Sequence, residues 1–187
     1  MGQEESVGQE ELEKKTRQRL APEVRRAQIL DAALEVFGEQ GFQRATLQDV
    51  MDRTGVTKGA FYHYFESKEE LFLALVRDRF IPSVLADKQL MIRWEGSREE
   101  MLRQLIERIW QKLREPGQIE LTRLVITEVP RFPGLRDVFY NELLLPFRRS
   151  LREALAPGIK CGDVPREAAE AVVVLIPDMV MGVALGR

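Results

Sequence analysis

Five ring-bearing residues in a row, Phe61-Tyr62-His63-Tyr64-Phe65, constrain the fold of this chain more than any other feature. A helix makes a turn about every 3.6 residues, so five consecutive positions point right round it and cannot all be buried against one neighbour. Phe61 and Phe65 stand four apart and share a face. The pattern therefore predicts that these two anchor in a core while Tyr62, His63 and Tyr64 point at least partly outward. The run lies in the second of two short helical segments, 46–53 and 58–65. Thr46 is suited to cap the first, with Asp49 three residues on, and Leu47, Val50 and Met51 form its apolar stripe. Gly55 ends it and Thr57 caps the second. Segments this short are not stable alone, so tertiary packing must hold both. Two short helices joined by a glycine-containing turn form the helix-turn-helix layout, whose second helix reads the major groove of DNA.

The remaining pattern is helical. Pro22 opens a helix carrying Ile29, Ala33, Val36 and Phe37 on one face, and Gly41 stops it. Ser67 with Glu70 three residues on is a capping box that opens a helix with Leu71, Leu75, Val76 and Phe80. Further helices are expected at 98–114, at 119–129 (where Leu-Val-Ile-Thr alone also suits a strand), at 135–155 with a kink at Pro146, and from Pro165 to the end, kinked near Pro177. Pro157-Gly158 is expected to end the helix before it. The class is all-α.

Charge is balanced, with 28 Lys+Arg against 30 Asp+Glu. Between Pro22 and Phe80 there are 8 basic and 10 acidic residues, so contact with DNA must come from local placement of charge. The first twenty residues form a charged arm, expected to be flexible. Its Lys14, Lys15, Arg17 and Arg19 either add phosphate or minor-groove contacts or belong to a solvated tail. The arm has no apolar core and is no signal peptide. The apolar run Ala171–Leu185 holds Pro177 and Asp178, is short for a bilayer, and is expected to be a buried helix. No membrane partner is implied, and the expected location is the cytoplasm. One cysteine, Cys161, and one histidine, His63, leave no internal disulfide and no CxxC or His-rich metal site, and speak against a Ser-His-Asp triad; no cofactor is expected. An enzyme is not expected.

The stretch RRAQILDAALEVFGEQGFQRATLQDVMDRTGVTKGAFYHYFESKEELFLALV resembles the DNA-binding domain of TetR-type transcriptional regulators, and its core TGVTKGAFYHYFESKEEL is specific to that family. The resemblance implies an N-terminal three-helix DNA-binding domain over 22–68, after the arm 1–21, and a C-terminal helical ligand-binding and dimerisation domain over 69–187. It also implies roles. Thr46 caps the first helix of the motif and touches a phosphate; Thr57, Lys58, Gly59 and Ala60 open the recognition helix nearest the bases; Tyr62 contacts backbone phosphate, with His63 and Tyr64 beside it; Lys68 binds phosphate. The small side chains of Gly59 and Ala60 let the helix approach base edges closely.

In the second half the family resemblance is weaker, carried by Glu128, Pro130, Phe132, Pro133, Leu135, Phe139 and Tyr140. An apolar pocket is expected among Trp94, Met101, Leu105, Trp110, Leu124, Phe139, Leu143 and Phe147, with Glu128 and Arg131 as polar anchors. Ala168, Ala171, Val172, Leu175, Met179 and Val183 form a candidate two-fold interface on the last helix. Family members pair their last two helices into a four-helix bundle, whereas this sequence stops at Arg187, apparently before a final helix. The reading is a homodimeric repressor released from a palindromic operator by a small, mainly apolar effector. The alternative is a ligand-independent DNA-binding or architectural module, distinguished by a filled rather than an open second half.

Overall fold

The computed structural model describes residues 21–86 and 88–185, and the expected N-terminal arm lies outside them. Among these residues every element is helical. They are α1 (Pro22–Gln40), α2 (Leu47–Thr54), α3 (Lys58–Tyr62), α4 (Lys68–Leu75), α5 (Ile81–Leu85), α6 (Lys88–Ile92), α7 (Arg98–Leu113), α8 (Gln118–Glu128), α9 (Pro133–Val138), α10 (Leu145–Cys161) and α11 (Arg166–Leu185). Two π-helical segments, Val76–Phe80 and Phe139–Leu144, join α4 to α5 and α9 to α10 without a break.

Local chemistry sets the starts of the first four helices. Pro22 occupies the first turn of α1, and Gly41 follows it at φ 76. Thr46 and Asp49 form a reciprocal capping box at α2, and Gly55 closes that helix in the left-handed region at φ 64. The Thr57 hydroxyl accepts from the Ala60 N–H, and the Ser67 hydroxyl from the Glu70 N–H. The Glu70 carboxylate reaches one residue further back, to the Glu66 N–H at 2.7 Å. α3 is shorter than expected. After Tyr62 the chain tightens, with the N–H groups of Tyr64 and Phe65 both donating to the Phe61 carbonyl, and this carries Phe65 into the core before Ser67 opens α4.

Each π segment ends two residues before a proline, at Pro82 and Pro146. A proline inside a helix has no N–H and crowds the carbonyl four residues back. Here the preceding turn widens instead: the Ile81 N–H bonds to the Val76 carbonyl, and the Leu145 N–H to that of Tyr140. The kink expected at Pro146 is thus a π segment just before it. The stop expected at Pro157 does not occur. α10 runs on through Pro157 to Cys161 and closes at Gly162 (φ 85), with Ala154, Leu155 and Gly158 buried. The α10–α11 turn passes so close that a Cβ on Gly158 would lie 2.8 Å from Val164 and from Arg98. Packing thus offsets the hydrogen bond that Pro157 cannot donate. Residues 121–128 form helix and not strand.

The described residues form two cores. One joins α1–α4 to α8, α9 and both π segments, around Phe37, Phe42, Phe61, Phe65 and Phe72. The other gathers α6, α7, α10 and α11 around Met101, Leu105, Phe147 and Leu151. The expectation of a buried last helix needs correction. α11 is long and apolar enough to cross a membrane by length and composition, with mean hydropathy 2.0, yet only 22% of its apolar window is buried. One face packs through Ala169, Val173, Ile176 and Ala184. The opposite face leaves Leu175 61% and Met179 45% exposed.

Candidate nucleic-acid interface and an apolar cavity

The aromatic run divides as the spacing requires. Phe61 and Phe65 are buried, their rings 6.1 Å apart between centroids, while Tyr62 and His63 are exposed and Tyr64 is half-buried. Thr57, Lys58, Gly59 and Ala60 are exposed at the start of α3, beside Tyr62 and His63. Gly59 is not required by the fold: its φ is not in the left-handed region, and an added Cβ would meet no protein atom within 4 Å. A glycine in a helix costs about 0.5–1 kcal/mol relative to alanine. The space beside it is open to an external surface.

Ion pairs tie up several of the charges in this stretch. Arg53 at the end of α2 grips Glu39 through two bonds of 2.8 and 2.7 Å and reaches Glu35 at 3.2 Å. Its hydrogen bond holds the Glu39 carboxyl below the usual range. Arg79 pairs with Asp31, and Arg26 with Asp78, its guanidinium lying over the Phe65 ring. The hydroxyl of Thr46 donates to Asp49 at 2.6 Å and depresses that carboxyl. Lys58 keeps no protein partner among the described residues and stands at the exposed edge.

Two residues named from the family resemblance have their donors committed inside the fold. The hydroxyl of Thr46 is engaged with Asp49 inside the cap. Lys68 is half-buried and donates to three backbone carbonyls of the α1–α2 loop: Phe42 at 2.8 Å, Gln43 at 3.3 Å and Ala45 at 2.9 Å. Its Nζ also lies 4.6 Å from the centre of the Phe42 ring. An ammonium has three N–H groups, and here each has a carbonyl. Lys68 fastens the loop that leads into α2.

An apolar cavity of about 90 Å³, open to solvent at its mouth, lies between the cores. Phe80, Phe139, Leu143 and Leu144 of the two π segments line it together with Phe147, Ile109, Ile126, Ile176 and Met181. Ser83, Lys112, Gln118 and Thr122 are its polar members. They adjoin one another: Lys112 donates to the Ser83 carbonyl at 2.9 Å, and the Gln118 amide to the Ser83 hydroxyl at 3.1 Å.

Of the residues expected to form a pocket, Phe139, Leu143 and Phe147 line this cavity. Met101, Leu105 and Leu124 do not; they are buried in the cores. Trp94 packs on the second core with its indole N–H donating to the Ser97 carbonyl, and Trp110 lies at the surface against Arg114. Glu128 and Arg131 pair with each other away from the cavity. Core and cavity wall share one apolar pattern, so spacing alone does not separate them. The polar group at 83, 112, 118 and 122 comes from three separate helical stretches and leaves no local signal. Of the candidate interface on α11, Ala168, Ala171, Leu175 and Met179 are exposed, and Val172 and Val183 are half-buried.

Two family models match the chain: the tetR family of bacterial regulatory proteins over residues 29–75, and the C-terminal domain of AefR-like transcriptional repressors over residues 100–181. The HTH-type transcriptional activator FasR of Mycolicibacterium smegmatis is 32% identical over 100 residues, which cover 54% of this chain and 45% of that protein. The chain thus spans about half the length of that curated relative. The HTH-type transcriptional repressor KstR2 of Rhodococcus jostii is 26% identical over 145 residues, 74% of this chain and 67% of KstR2. A TetR-family regulator of solved structure from Agrobacterium tumefaciens superposes with a TM-score of 0.71 at 20% identity, covering 88% of this chain and 87% of that one.

Proposed function

Since this chain belongs to the TetR family of bacterial transcriptional regulators, we propose that it is a homodimeric, sequence-specific repressor of transcription that acts in the cytoplasm. The observation that carries this reading is the exposed edge Thr57-Lys58-Gly59-Ala60 with Tyr62 and His63, held outward by the buried Phe61 and Phe65. Two such edges, one per protomer, enter successive major grooves of a palindromic operator about one helical turn apart. Lys58, Tyr62 and His63 supply phosphate and base-edge donors, and Gly59 and Ala60 allow the approach. Residues 22–68 form the DNA-binding part and residues 69–187 the sensing and pairing part. The exposed face of α11 around Ala171, Leu175 and Met179 meets its counterpart across a two-fold axis.

A small, mainly apolar effector occupies the cavity and shifts the protein to a spacing that no longer fits the operator. The open cavity favours sensing over a ligand-independent DNA-binding module. The helical run from α4 to α5 is placed to carry the change. Its π segment lines the cavity with Phe80, grips Glu142 of the second π segment through Arg77 at 2.7 Å, and holds α1 through Asp78 and Arg79. A coupling of about 1–3 kcal/mol changes operator affinity roughly 5–150-fold.

The test is selection of binding sites by the purified protein from random duplex DNA at stated, near-physiological salt. A two-fold symmetric consensus supports the reading. Weak, salt-sensitive binding with no consensus refutes it.

A further inference from the structure

The cavity between the cores has one polar corner and is apolar elsewhere. Ser83 of α5, Lys112 of α7, and Gln118 and Thr122 of α8 make the corner, brought together from three helices. Phe80, Phe139, Leu144, Phe147 and Ile176 are among the apolar groups that line the rest. A wall of this kind fits a molecule with one polar head and one apolar body.

Hydrogen-bond direction narrows the head. The Ser83 hydroxyl donates to the Phe80 carbonyl at 2.8 Å, and the Thr122 hydroxyl to the Gln118 carbonyl at 2.7 Å. A hydroxyl has one hydrogen, so both are engaged inside their own helices. The N–H donors of the corner belong to Lys112 and Gln118, and both are aimed at oxygens of one residue. Lys112 bonds to the Ser83 carbonyl at 2.9 Å, and the Gln118 amide to the Ser83 hydroxyl at 3.1 Å. Two neighbouring donors that meet two neighbouring oxygens form the pattern that a carboxylate completes. A carboxylate offers those donors charged acceptors in place of neutral ones, and charge-assisted bonds are shorter and stronger.

Sign separates the remaining candidates. Lys112 is the one charged residue among the described residues that line the cavity, and it is half-buried. Away from bulk water its charge acts strongly on whatever lies beside it. It repels an ammonium head, is indifferent to a hydroxyl, and favours an anion. We infer that the cavity takes an amphiphile with an apolar body and a carboxylate head, the head bonded to Lys112 and Gln118. The inference rests on the sensing reading above and names the chemical class of the molecule sensed.

The test is titration calorimetry of the full chain without DNA. The probes are the saturated acids from hexanoic to dodecanoic acid, with the alcohol and the primary amine of each chain length, all below their micelle-forming concentrations. At about pH 7 the acids are carboxylates and the amines are ammonium ions. At the best chain length the acid is expected to bind at least about tenfold more tightly than its alcohol, with the amine weakest. Lys112→Met keeps the stem and removes the charge, and should bring the acid within about twofold of its alcohol while leaving the alcohol unchanged. Lys112 also bonds to α5, so melting temperature checks the variant. Gln118→Leu removes the second donor without touching the charge and should cost the acid several-fold and the alcohol nothing. Ile126→Trp, or Ile126→Phe should the larger residue impair folding, fills the cavity from α8 and should abolish binding of acid and alcohol alike. That loss separates the cavity from the exposed apolar face of α11. An acid that binds no better than its alcohol overturns the inference and leaves the regulator reading standing. So does a preference that survives both Lys112→Met and Gln118→Leu, or binding that survives the filler. An acid that binds with the expected preference yet leaves operator affinity unchanged upholds the carboxylate site and overturns its part in releasing the operator.

Discussion

Lys68→Met separates two roles that one lysine cannot fill at once. The substitution keeps the stem and removes the ammonium that bonds to the carbonyls of Phe42, Gln43 and Ala45. Hydrogen bonds from a charged donor contribute about 1.5–3 kcal/mol each. The bond to Gln43 is long and exposed, and the side chain regains rotamer freedom, so the expected loss is nearer to roughly 3 kcal/mol than to the full sum. For a chain of this size that lowers Tm by about 6–12 °C. Lys68→Arg restores only part of it, because a planar guanidinium cannot aim three donors into one pocket of carbonyls. The assay is thermal unfolding followed by circular dichroism, together with operator binding as a function of salt. A phosphate ligand behaves otherwise: its removal leaves Tm within about 1 °C and reduces the salt slope by about 0.9. An unchanged Tm with a reduced slope refutes the structural role.

Gly59→Ala should move two measurements in opposite directions: stability rises by about 0.5–1 kcal/mol while operator affinity falls, and unchanged affinity removes the argument from close approach. Thr46→Ala breaks the α2 capping box and should lower stability by about 1 kcal/mol, read as a lower urea midpoint with an unchanged m-value. Acid should weaken the fold. Hydrogen bonds from Arg77, Arg53 and Thr46 hold the carboxyls of Glu142, Glu39 and Asp49 below their ordinary range, so the unfolded chain binds protons more readily than the folded one. Their stabilisation is present above about pH 4.5 and is lost as pH falls through the depressed values, and urea midpoints that stay flat from pH 6 to pH 3 would contradict this. Leu175→Glu should leave the Tm of the isolated protomer nearly unchanged, since the side chain is 61% exposed, and shift the molar mass by light scattering from dimer to monomer.

What the sequence makes legible here is local, and what it hides is long-range. Caps, stops and the division of the ring-bearing run depend on residues within four positions of each other, and Thr46, Thr57, Ser67, Gly41, Gly55, Phe61 and Phe65 act as their spacing implies. Lys68 reaches carbonyls 23 to 26 residues away, and Glu128 an amide 85 residues away. Nothing near either residue announces its partner. The prolines show the same limit. Pro82 and Pro146 follow widened turns and Pro157 sits inside an unbroken helix, because neighbouring elements decide whether a lost hydrogen bond ends a helix or is tolerated.

The last helix shows how far composition alone can mislead. α11 meets the length and apolarity of a bilayer span, but a span is apolar all round, with nothing polar facing lipid at its middle. Here Pro177 lines the cavity and Asp178 is exposed near the centre, while the Ala184 carbonyl accepts from Arg123 of α8 at 2.9 Å. One side is therefore already covered by protein. The uncovered side is a stripe in which Leu175 and Met179 stand four apart, flanked by Ala168, Ala171 and Gly182. Small residues beside two larger ones let a second helix approach closely. The same helix carries Ile176 and Met181 on the cavity wall. A partner seated on the stripe thus rests on the far side of the wall an effector would press, so pairing and sensing would share one helix.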